Sequence, residues 1–174
     1  YAHKPLLPRD GVRQEAFDSG MIFPGGTFLT RPHEHRIYYE ARSARHHEER
    51  YDDNQAKLAT TSWARDRLVA LRAAHLNAPA VVTTKAFAIM GGAVEVEVDA
   101  SPCGASVRVE VITESGETIE GHSVDEAVPL ESTSGRFEAT WTGGVGSFLG
   151  KPQGSVIRLR FHLMGAAKLY AFQI

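Results

Sequence analysis

Four of the chain's eight histidines fall in one short stretch, at His33, His35, His46 and His47. On a strand His33 and His35 would point to the same side, because strand side chains alternate with a period of two. With Glu40 close behind, "HEHRIYYE" then carries the donor types that hold a zinc, iron or manganese ion. A structural reading competes with this one. Pro32 and the charges of "RPHEHR" fit a tight hairpin tip between "TFLT" and "RIYYE", which predicts exposed turn histidines in preference to a metal site. His46 and His47 follow the Tyr38-Tyr39 strand end in a long loop, where binding groups collect. The same segment, "EARSARHHEERYDDN", carries charge of both signs, so a solvated surface loop explains it as well.

The elements that must position these residues are strands. In "GAVEVEVDA" Val94, Val96 and Val98 share one face and Glu95, Glu97 and Asp99 the other. "ASVRVEVIT" repeats the pattern with Val107, Val109 and Val111 opposing Arg108 and Glu110, and "SPCGA" between the two runs is about the length of a hairpin loop. "RFEATW" aligns Phe137, Ala139 and Trp141, and "VIRLRFHL" aligns Ile157, Leu159, Phe161 and Leu163 against Arg158, Arg160 and His162. The acidic face of "VEVEVD" and the basic face of "IRLRFH" are expected to meet as cross-strand pairs. "AKLYAFQI" is apolar on both sides from Leu169 onward, which predicts a strand buried inside the molecule. "SWARDRLVALRAAH" fits a helix and a strand equally well. These runs, spaced by Gly, Pro and Ser turns, predict an all-β chain whose later part is a two-sheet β-sandwich. The change of pattern near "LNAPAVVTT" sets the expected boundary, with residues 1–76 before it and 77–174 after it.

Composition excludes several classes. A net charge of −2 offers no basic footprint for nucleic acid. Apolar runs such as "AFAIMGGAV" are far shorter than the roughly 18 to 20 residues of a spanning helix, so no membrane partner is expected. One cysteine, Cys103, rules out an internal disulfide and a multi-thiolate zinc site. The chain opens at Tyr1 without a signal pattern, which leads to the expectation of a processed chain or a fragment.

Read as an ordered series, "FDSGMIFPGG", "RIYYE", "ARSARHH" and "AKLATTSWARDRLVAL" resemble the closing part of the five-bladed β-propeller of family 32 and family 43 glycoside hydrolases. The later pieces, "VRVEVITESGETIEGHSVDEAVPL" and "GKPQGSVIRLRFHLMGAAKLYAFQI", resemble the β-sandwich appended to many of those propellers. Two departures stand out: Glu40 replaces the family's Gly after Tyr-Tyr, and "ARDRL" replaces "RRDGF". A separate, shorter likeness links His33, His35 and Glu40 to the first metal motif of the cupin barrels, without the second motif.

The propeller resemblance implies a terminal blade in residues 1–76, a C-terminal β-sandwich in 77–174, a carbohydrate substrate and no cofactor. It implies that Asp18, Tyr38, Tyr39 and one of His46 or His47 border the central funnel. Asp18 would bind substrate or set a pKa, the His would donate to a sugar hydroxyl, and a Tyr would stack on a sugar face. Glycoside hydrolysis generally needs two carboxyl groups flanking the scissile bond. In the propeller relatives these come from earlier blades, so this chain is expected to need the rest of the propeller, as a preceding segment or a partner chain. Export to the periplasm or outside the cell is implied by the same analogy. The alternatives are a non-catalytic carbohydrate-binding or interaction module, with the sandwich as its body, and a cupin-like metal protein.

Overall fold

The computed structural model describes residue 7 and residues 16–44, 56–143 and 154–174. The chain is all-β, with three antiparallel sheets and no helix among the described residues. It divides into two compact units, residues 1–65 and 66–174. The division thus falls ahead of the change in sequence pattern near residue 76. Among the described residues there is no closed barrel and no ring of blades.

In the first unit β1 (Met21–Thr30), β2 (Glu34–Arg42) and β3 (Lys57–Ala64) form a meander in the order β1-β2-β3. The β-branched and aromatic residues of "RIYY" and "TTSW" suit this half-buried, pleated surface. The tip between β1 and β2 is Arg31 to His33, closed by the Arg31 amide donating to the Glu34 carbonyl at 2.8 Å. The β1–β2 register shifts between Pro24 and Phe28, around Gly25 and Gly26. A Cβ at Gly25 would stand 2.8 Å from the Tyr38 carbonyl oxygen, so the bulge depends on a residue without a side chain.

The second unit holds β4 (Leu71–Arg72), β5 (Ala80–Thr83), β6 (Phe87–Ala88), β7 (Glu95–Asp99), β8 (Ser106–Thr113), β9 (Leu130–Glu131), β10 (Ser134–Glu138), β11 (Val156–Met164) and β12 (Lys168–Gln173). One sheet runs β10-β7-β12-β4; the other runs β5-β11-β8-β9, with β6 also on β11. Both contribute to one core. Val96 and Val98 come from the first sheet, and Val107, Val109, Val111, Ile157, Leu159, Phe161 and Leu163 from the second. At roughly 1.5 to 3 kcal/mol per fully buried large apolar side chain, this face supplies the main term against chain entropy.

Several expectations change. Val94 to Val98 and Val107 to Val111 do point inward, but "SPCGA" is not a hairpin, because β7 pairs β10 and β12 while β8 pairs β9 and β11. The loop carries the chain from one sheet to the other. The acidic face of β7 and the basic face of β11 therefore never meet. β12 is not a buried strand: beyond Leu169 its second neighbour, the two-residue β4, has ended, and Phe172 is 41% exposed. "SWARDRLVALRAAH" divides into the end of β3, a turn and β4. Asp66, in that turn, takes φ 63°, a left-handed conformation that Asp tolerates better than most residues.

Candidate functional site

The turn that carries Asp18 meets the last residues of β2 at one end of the three-stranded sheet. Met21, the first residue of β1, pairs with Arg42, the last of β2. The 16–20 turn that carries Asp18 therefore lies at the end from which the chain leaves β2. The Gly20 amide donates to the Arg42 carbonyl at 3.0 Å, and the Ser19 hydroxyl donates to the Ser43 carbonyl at 3.4 Å. A Cβ on Gly20 would be driven into the Ala44 carbonyl. This close approach is the physical reason for the glycine in "FDSG".

Tyr39 is buried on one face of β2, beside Ile37 and Ala41. Burial pushes its phenol pKa up, and the negative charge of Asp18 adds to the rise. The structure thus brings Asp18 and Tyr39 within electrostatic reach, with Tyr39 as a neutral phenol and a hydrogen-bond donor. Tyr38 points to the opposite face, as alternation requires, and is 37% exposed. Hydrogen bonds with Tyr38 and then Glu34 raise the pKa of the Arg36 guanidinium, and Arg36 holds Glu34 below the ordinary glutamate value. Arg36 meets Glu34 at 2.6 Å, and Arg42 meets Glu40 at 2.6 Å on the same face. His46 and His47 lie outside the described residues.

The histidines at the other end do not form a ligand set. His33 is exposed at the tip, and its carbonyl accepts the Arg65 amide at 3.0 Å. His35 corrects the expectation of an exposed turn residue. It is already in β2, buried, with Nδ1 3.1 Å from the Thr30 hydroxyl and its ring 5.0 Å from that of Phe28. Glu40 occupies the face of β2 opposite to His35, so the two cannot share an ion. Among the described residues no group of three His, Cys, Asp or Glu is placed to hold a metal.

Two buried carboxylates in the second unit were not singled out from the sequence. Glu97 accepts from Arg67 at 2.5 Å and from Arg136 at 3.4 Å. Arg67 also donates to the Val98 carbonyl and lies 5.0 Å over the Tyr170 ring, while Arg136 meets Asp66 at 2.5 Å. On the other sheet Glu110 accepts from the Thr118 hydroxyl at 2.8 Å, from Arg160 at 3.1 Å and from His162 Nε2 at 2.9 Å. Burial pushes the Glu110 pKa up, yet the hydrogen bonds from His162, Thr118 and Arg160 together bring it below the ordinary value. A carboxylate only accepts, so His162 Nε2 carries the proton in this pair. The alternating pattern showed that these charges face away from the core. It did not show which strands would lie beside them.

Comparison with known proteins adds no relative: no protein family, no curated protein and no solved structure matches this chain.

Proposed function

We propose that this chain is the C-terminal portion of a glycoside hydrolase acting on glycosidic bonds of oligo- or polysaccharides. In this reading the first unit is the closing blade of a five-bladed β-propeller and the second is its appended β-sandwich. The supporting observation is the first unit's sheet, whose three strands pair in the order β1-β2-β3 yet leave it nearly coreless. Among the described residues its buried apolar side chains are Tyr39, Ala41 and Ala44. Phe28 is open on the Tyr39 face, and Phe23, Leu29, Tyr38 and Leu58 are open on the other. A blade packed between two neighbours would have both faces covered. Within the ring, Asp18, Tyr38, Tyr39 and one of His46 or His47 would border the funnel. The two carboxyl groups of hydrolysis would come from a preceding segment or a partner chain.

One observation favours a rival. The second unit has a core of its own, as a free-standing carbohydrate-binding module would. The test is to isolate the native protein with an antibody raised against the second unit. Its intact mass, its N-terminal sequence and its action on an oligosaccharide panel are then determined. A species with about two hundred or more further residues that cleaves a member of the panel supports the hydrolase. A native species consisting of this chain alone, binding sugars without cleaving them, replaces it with the module.

A further inference from the structure

The outer face of the five-stranded sheet carries two cations that nothing in the described structure neutralises. Arg158 lies on β11 opposite Ile112, two residues from Arg160 on the same face. Its Nε is buried and has no hydrogen-bond partner, and among the described residues Arg158 makes no ion pair. The register places Lys85 across from Arg158, in a bulge. Thr83 pairs with Arg160 and Phe87 with Ile157, so four steps on one side (83 to 87) match three on the other (160 to 157). Thr84 secures the bulge, its amide donating to the Leu159 carbonyl at 2.9 Å and its hydroxyl accepting from the Leu159 amide at 3.0 Å. Lys85 itself is exposed and makes no ion pair among the described residues.

The rest of this face does not supply the missing anion. Arg108 is satisfied by the neutral carbonyls of Val124 and Ala127. Glu110 is already engaged by Arg160 and His162. Glu131 pairs with Ser106, at the end of the sheet away from Arg158. Like charges side by side on a sheet are unfavourable, and so is a desolvated donor without an acceptor. One oxyanion would relieve both, because guanidinium presents Nε and Nη as a fork to two oxygens while lysine adds a mobile point charge.

We propose that Lys85 and Arg158, with Arg160 alongside, bind an oxyanion, either free or carried as an acidic group on a sugar. The site belongs to the second unit and requires neither glycoside cleavage nor a companion segment, so it stands or falls apart from the hydrolase reading.

The test is an NMR titration of the isotope-labelled full chain at low ionic strength. Sodium sulfate, a galacturonate trimer and a neutral galactose trimer are added in separate arms. Saturable shifts at the Arg158 Nε–H and at the amides of 84–86 and 157–160 are expected with an anion and not with the neutral sugar. Affinity should fall about tenfold in Arg158→Gln, as for loss of a charge-assisted pair, and severalfold in Lys85→Gln. Equal binding of sulfate and galacturonate assigns the site to a free anion, and tighter binding of galacturonate to a sugar-borne acid. No saturation with either anion, or unchanged affinity in the variants, overturns the proposal. Lys85 is exposed, so Lys85→Gln decides the matter if Arg158→Gln fails to fold.

Discussion

Gly20 lies directly against the end of β2: a Cβ on it would collide with the Ala44 carbonyl and stand 2.6 Å from the Ser43 oxygen. Backbone cannot move aside as a flexible side chain can. Gly20→Ala should therefore destabilise the β1–β2 hairpin by about 1 to 3 kcal/mol, the range of an overpacked site. Gly26→Ala, where nothing lies within 4 Å, should be close to neutral. Denaturant melts of the two variants check the contrast.

Glu97 is buried between Arg67 and Arg136, with its side chain only 10% exposed. Removing it takes from Arg67 its carboxylate partner among the described residues and leaves Arg136 with Asp66. Glu97→Ala should cost about 3 kcal/mol, as for a buried pair broken at one partner. Lys168→Ala removes the partner of Asp99 at a side chain 40% exposed and should cost no more than about 1 kcal/mol. Urea midpoints measure both, and equal losses would contradict the assignment.

Acid should weaken the second unit in a definite window. The Ser101 hydroxyl, at 2.6 Å, and the Lys168 ammonium, at 2.9 Å, lower the Asp99 pKa from 3.8 to about 2. A carboxyl depressed in the folded state stabilises above its unfolded pKa, and that stability is lost as pH falls through the folded value. Glu110, also lowered, acts with the same sign. Stability should thus decline between about pH 4 and pH 2. Asp99→Asn should flatten part of that decline, and parallel curves for the variant and the wild type would refute it.

Leucines separate the two units. Leu159 is fully buried in the shared core, so Leu159→Ala should cost about 2 to 5 kcal/mol. Leu58 is 80% exposed on the first unit's sheet. Leu58→Ser should change the chain's own stability by less than about 0.5 kcal/mol, and denaturant melts of the two variants measure the contrast.

What the sequence disclosed was which side of each strand faces inward. Val94, Val96 and Val98, like Leu159, Phe161 and Leu163, are buried where alternation placed them. What it concealed was adjacency, because a period of two is the same whichever strand lies alongside. Hence "SPCGA" read as a hairpin although it crosses between sheets, and Glu110 rather than Glu97 meets Arg160. His33 could be placed at the tip from Pro32. His35 could not, because the turn closes one residue earlier than the charges suggest and Glu34 already pairs with Ala64. Asp18 and Tyr39 do lie within electrostatic reach of each other. That relationship follows from the pairing of Met21 with Arg42, a register that neither segment displays alone.

The claim beneath the proposed function is that the first sheet takes its packing from outside this chain, and amide hydrogen exchange on the chain alone tests it most directly. Local opening of a poorly packed element needs less free energy than global unfolding. The account predicts that the amides of Ile37, Tyr39 and Ala41, although on the central strand of their sheet, exchange far faster than those of Val109, Val111 and Leu159. Equal protection in the two sets would show that the three-stranded sheet is stable by itself and would contradict the reading of it as a blade.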